Sequence, residues 1–78
     1  MVAFGATWCV PCQQAQPALK RIEEAGFEVT HIDIDRQPEL AKRYGVTSVP
    51  TFFIRANGEE VQTQDIQVVL AAFGLSKR

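Results

Sequence analysis

Scarcity narrows this chain before any motif is read. Its 78 residues hold only two cysteines, one histidine, one tryptophan, one tyrosine and one methionine. Two cysteines do not make the disulfide framework of a small secreted domain. No apolar run approaches the ~20 residues of a membrane span. Met1-Val2-Ala3-Phe4-Gly5 has neither the basic flank nor the apolar length of a secretory signal. Charge of one sign is not in excess either: 8 Lys and Arg against 9 Asp and Glu leave a net charge of -1. Nothing in that interspersed pattern marks a nucleic-acid footprint or a membrane-binding face. Internal repeats, linkers and low-complexity tracts are absent. The expectation is one domain over residues 1–78, monomeric and cytoplasmic, near the lower size at which a single core suffices. A 46% hydrophobic content with mean hydropathy of -0.05 fits a compact globule.

What remains is well patterned. Val2 to Phe4 reads as a short buried strand ended by Gly5 and Thr7. From Val10 to Ala25 the apolar residues Ala15, Ala18, Leu19 and Ile22 fall at i, i+3, i+4 and i+7, the stripe of one helix face. Gly26 supplies the stop, and Pro17 inside the helix predicts a kink. Phe27 to Ile34, rich in β-branched residues, reads as a second strand parallel to the first. Pro38 opens a short helix with Leu40, Ala41 and Tyr44 inward and Gly45 as its stop. Thr51 to Ile54 is a third strand. Asn57-Gly58 is a hairpin turn leading into a fourth over Glu60 to Gln62 or Thr63. Asp65 caps a last helix in which Ile66, Val69, Leu70 and Phe73 repeat the helical stripe before Gly74. The order β-α-β-α-β-β-α predicts an α/β fold, a four-stranded mixed sheet with three helices.

Both cysteines fall in Trp8-Cys9-Val10-Pro11-Cys12, after an apolar run and before a helical pattern. Thiols three positions apart at a helix start can close a small disulfide and reopen it, so this spacing reads as a redox pair. The thiolate is the attacking species, and a free cysteine of pKa roughly 8.5 is mostly protonated at neutral pH. Cys9 precedes the first helical turn, where unpaired N–H groups and the helix dipole favour negative charge. Cys9 is therefore expected to be ionised, reachable from solvent and the attacking sulfur. Cys12, one turn in and more buried, would resolve the mixed disulfide. Pro11 is tolerated because its missing N–H falls among the orphan donors of the first turn. Zinc binding or inert packing are the alternatives. A structural zinc usually takes four ligands, and His31 is the one further nitrogen or sulfur donor of the usual kind.

Together Trp8-Cys9-Val10-Pro11-Cys12, Pro17, Tyr44-Gly45-Val46, Val49-Pro50-Thr51-Phe52 and Asn57-Gly58 resemble the thioredoxin superfamily in order and spacing, over roughly Val2 to Gly74. The resemblance implies a minimal thioredoxin fold that starts at the strand leading into the cysteines, without the N-terminal β-α unit of a full thioredoxin. In that respect it looks like glutaredoxin and the small glutaredoxin-like thioredoxins. It assigns the same roles to Cys9 and Cys12 and implies a cis Val49–Pro50 bond opposite them. The Val49 backbone would then pair with substrate, and Thr47 and Ser48 would line the same lip. The competing reading of Pro50 is a trans proline that starts a strand. Trp8, Val10 and Pro11 would form the rest of a substrate-binding surface, with Trp8 shielding the Cys9 sulfur unless it merely completes a core.

Two positions depart from the thioredoxin pattern. A buried Asp commonly lies six residues before the first cysteine, where this chain has Ala3, and the Lys that accompanies it aligns with His31. Histidine is the side-chain type that titrates nearest neutrality when unperturbed, which makes His31 a candidate for proton transfer to Cys12. A plain strand position is the simpler account. Asp33 and Asp35 end the second strand, where capping of the next helix is expected.

The resemblance implies a protein-disulfide reductase that carries electrons from a thioredoxin reductase to targets such as ribonucleotide reductase, without a cofactor or metal. A glutathione-dependent, glutaredoxin-like enzyme is the second reading, with Asp65 a possible contact for glutathione. Gln62-Thr63-Gln64-Asp65 replaces the Gly-Gly pair such enzymes typically carry there, and that pair allows close backbone approach. A non-catalytic docking module is the third, and the intact Cys-x-Pro-Cys argues against it.

Overall fold

The computed structural model describes residues 1–56 and 58–75. Among them the strands are β1 (Val2–Gly5), β2 (Thr30–Asp33), β3 (Thr51–Ala56) and β4 (Glu59–Thr63). The helices are α1 (Val10–Glu24), α2 (Pro38–Arg43) and α3 (Ile66–Ala72). The element order is the one the periodicities predict. The strands form one mixed sheet in the order β2-β1-β3-β4. β1 runs parallel to β2 and antiparallel to β3, and β3 pairs with β4 as a hairpin. Gly58 lies in that turn with φ +79°, a left-handed conformation that costs glycine little. Asn57, the other half of the expected turn, lies outside the described residues. No helix among the described residues is long and apolar enough to cross a membrane.

Alternation along the two central strands divides the core. Ala3, Phe52 and Ile54 face one side, where they pack with Ala15, Leu19 and Ile22 of α1 and Val69 and Leu70 of α3. Phe4 and Phe53 face the other, against Ala41 of α2 and Ile32 of β2. Tyr44, at the end of α2, lays its ring 5.1 Å from Phe4 and 5.2 Å from Phe53. It is an inner-face residue as expected, although 40% of its surface stays open. Two layers of helix thus clamp β1 and β3 from both faces, and the β1–α1 junction is held between them.

β2 is shorter than the expected Phe27 to Ile34. β1 pairs with it from Val2↔Thr30 to Gly5↔Asp33, and ahead of that register the Met1 amine donates to the Glu28 carbonyl at 2.9 Å. Gly26 turns the chain with φ +99°, and Phe27 then packs its ring 4.5 Å from Phe73 beyond α3 instead of entering the sheet. α1 stays helical through Pro17, so the missing N–H there does not interrupt it.

α3 begins as the sequence predicts. The Asp65 carboxylate accepts the Gln67 N–H at 2.9 Å, satisfying one of the orphan donors of the first turn. Asp65→Ala should lower unfolding free energy by about 1 kcal/mol, with Asp65→Asn retaining most of it. Chemical denaturation with an unchanged m-value would verify this, and equal losses for both variants would contradict it.

Candidate active site

The site begins where β1 hands over to α1. Cys9 is the N-cap of α1, with extended backbone (φ -87°, ψ 110°), and its sulfur accepts the Cys12 N–H at 3.2 Å. Val10 and Pro11 are the first two helical residues, so Pro11 withholds a donor that has no intrahelical partner in any case. No acidic residue lies in that first turn to oppose negative charge on the sulfur. Cys9 and Cys12 are joined as a disulfide, with Cα atoms 5.2 Å apart. That separation is within the usual range for a disulfide. Among the described residues, no three His, Cys, Asp or Glu side chains are grouped as a metal cage would require.

Cys9 is not reachable from solvent as expected, and the expected difference in burial between the two cysteines is absent. Cys9 is 4% exposed and Cys12 6%, both inside a small cluster with Ala6 that Ile34 and Val49 cover. The cause is a loop distant in sequence: the Cys9 sulfur lies 3.7 Å from the Val49 carbonyl oxygen. Once reduced, a Cys9 thiol could donate to that oxygen.

The Val49–Pro50 peptide is cis, as the resemblance implies, and Pro50 leads directly into β3. Two contacts fix this lip. The buried Thr51 hydroxyl donates to the Ser48 carbonyl at 2.7 Å, and the Gln64 amide donates to the Ser48 hydroxyl. Ser48 therefore ties the lip to the start of α3, whereas no side-chain hydrogen bond of Thr47 is found among the described residues.

Trp8 is 63% exposed and Val10 56%, so the tryptophan does not complete a core. Its indole N–H donates to Asp35 Oδ2 at 2.7 Å. This contact was not legible in the sequence, since the partners lie 27 positions apart and no local pattern links them. It also corrects the expected role of Asp35. The N-cap of α2 is Gln37, which makes no side-chain cap, while Asp33 accepts the Asp35 N–H at 2.9 Å. Pro38 fixes the helix start one residue after Gln37, leaving both aspartates too early in the chain to cap it.

Neither His31 nor Asp65 hydrogen-bonds to a sulfur. His31 sits beside Ala3 in the parallel register, so both point to the α1 face. Its Nε2 lies 3.2 Å from Glu23 Oε2 on α1, and both side chains are 44% exposed. Asp65 is occupied as a helix cap.

A sheet of this order, with a Cys-x-Pro-Cys disulfide capping the first helix and a cis-proline lip facing it, defines a thioredoxin-fold dithiol protein. The family model for thioredoxin matches residues 1–72. The chain belongs to the thioredoxin family. It is 43% identical over 65 residues to a thioredoxin of Streptomyces clavuligerus, a match covering 81% of this chain and 61% of that protein. It is 40% identical over 63 residues to a thioredoxin of Listeria monocytogenes, covering 77% and 61%. The chain thus spans about three fifths of the length of these relatives. Among solved structures, a mutant thioredoxin of Halobacterium salinarum superposes with a TM-score of 0.75 at 32% identity, over 99% of this chain and 74% of that one. Fasciola hepatica thioredoxin gives 0.73 at 30% identity, over 95% and 74%.

Gly5 lies behind the pair. A Cβ built there would sit 3.5 Å from the Cys12 sulfur and 3.6 Å from its Cβ, ordinary contact distances. Gly5→Ala should accordingly fold and keep its stability within about 1 kcal/mol of the parent. Thermal melting of both oxidised proteins checks this, and a large loss would mean that the β1–α1 junction is packed more tightly than these distances.

Proposed function

We propose that this chain is a thiol–disulfide oxidoreductase that reduces protein disulfides through Cys9 and Cys12. The observation that carries the reading is the Cys9 sulfur at the N-cap of α1, receiving the Cys12 N–H and bridged to Cys12. In the reduced pair, the unpaired donors of the first turn and the helix dipole favour the Cys9 thiolate. That thiolate attacks one sulfur of a target disulfide. A Cys9–target bond forms, the target S–S bond breaks, and the other target sulfur leaves with the electron pair. Cys12 then loses its proton and attacks the Cys9 sulfur. The protein disulfide closes, the second target thiolate departs, and an external reductase returns two electrons.

Trp8, Val10 and Pro11 on one side and Ser48, Val49 and Pro50 on the other form the binding surface of this reading. In this reading an extended target segment pairs with the Val49 backbone, whose carbonyl lies beside the Cys9 sulfur. A thioredoxin reductase is the proposed electron donor, with ribonucleotide reductase among the targets, in a monomeric protein of the cytoplasm. The glutathione-dependent reading is not favoured: the family match is to thioredoxin, and Asp65 has a structural task.

Insulin reduction driven by thioredoxin reductase, compared with glutathione and its reductase, tests this directly. Turnover is expected with the former. Cys9→Ser should fall to background, and Cys12→Ser should accumulate a covalent adduct visible by mass spectrometry. Activity with glutathione alone, or full activity of Cys9→Ser, would refute the assignment. Because Trp8 is largely exposed, Trp8→Ala should cost about 1 kcal/mol of stability or less. Its KM for insulin should rise severalfold with kcat little changed, and an unaltered KM would remove Trp8 from the surface.

A further inference from the structure

Cys12 is buried, and among the described residues no acidic or basic side chain hydrogen-bonds to its sulfur. The reading above nevertheless requires it to lose a proton. The fold supplies a route. Beside the sulfur lies a cleft of about 230 Å³, open to solvent on one side, between α1 and the β1–β2 side of the sheet, and both Cys12 and His31 line it. Its space comes from small residues on facing elements: Ala3 and Gly5 on β1, and Ala15 on α1. A water needs on the order of 10–15 Å³ of such space and a few polar partners, so this volume has room for several. Thr7, Gln16, Asp33 and His31 provide those partners on the lining.

Glu23 on α1 holds one edge of the imidazole. Glu23 accepts and cannot donate when ionised, so the Nε2 facing it at 3.2 Å carries the ring proton. In the neutral ring, Nδ1 then holds the free lone pair. The charged groups grouped with His31 are Glu23 and Lys20 from α1 and Asp33 from its own strand, and β1 contributes no titratable side chain.

We propose that the cleft is the proton route of the resolving sulfur, with His31 accepting the Cys12 proton through water. The inference rests on the dithiol reading given above. The Cys12 S–H proton passes along the water to Nδ1, producing an imidazolium and the Cys12 thiolate. That thiolate forms the bond to Cys9, the Cys9–target bond breaks, and the target leaves as a thiolate. The imidazolium then returns its proton to solvent or to the departing thiolate.

Stopped-flow mixing of the reduced protein with dithiobis(nitrobenzoate) separates the steps, because one coloured thiolate leaves when Cys9 attacks and another when Cys12 resolves. Cys12→Ser identifies the second phase by abolishing it. In His31→Ala the first phase should be unchanged. The second should slow about tenfold, below the roughly 10²–10⁴-fold of a base in direct contact. Added imidazole at constant pH and ionic strength should restore it in proportion to concentration. His31→Gln serves as a second variant and should behave alike. A second phase at the parent rate, or one that is slowed but indifferent to imidazole, overturns the proposal. If the parent protein releases no first thiolate, the dithiol reading itself fails and takes this inference with it.

Discussion

The hydrogen bond from the Cys12 amide to the Cys9 sulfur organises everything around it. It makes a cysteine do what Ser or Asp does at other helix starts, satisfying an orphan donor of the first turn. The same contact places that sulfur at the positive end of a 15-residue helix and draws the two cysteines together. The geometry requires β1 to stop at Gly5 and α1 to start at Val10, so the intervening loop has little freedom. Helices on both faces of β1 supply that constraint. The cysteine pair is thus held by the core rather than by its own local chain.

A second set of contacts closes the site from the opposite side. The lip before β3 is pinned by Thr51 below and Gln64 beside it, which brings the Val49 carbonyl to the Cys9 sulfur. Trp8 and Asp35 join the remaining edges across the loop after β2. Segments that follow β1, β2 and β4 therefore meet at one end of the sheet. There Trp8 and Val10, on either side of Cys9 in sequence, are both more than half exposed.

The sequence carried the element order because its apolar residues recur at clean helical and strand spacings, and because Gly26, Gly45 and Gly74 punctuate the helix ends. Asp65 as a cap was likewise a local fact, visible from the residues immediately around it. Features set by distant partners were not legible. β2 begins at Thr30, after Phe27 has turned to Phe73, which Phe27 and Val29 alone do not reveal. Cys9 is buried by Val49, 40 residues away. The cleft beside Cys12 depends on Ala3, Gly5 and Ala15 being small on elements that face one another, and no single stretch of chain encodes that.

The indole–carboxylate contact has a spectroscopic corollary. Trp8 is the only tryptophan in the chain, so indole emission originates beside the sulfur pair and nowhere else. A melting or denaturant curve followed at that wavelength watches the loop between β1 and α1 before it watches the hydrophobic layers. Any quenching by the adjacent disulfide is superimposed on it. Fluorescence becomes a measure of folding only when oxidation state is held fixed, and a measure of oxidation state only when the chain stays folded.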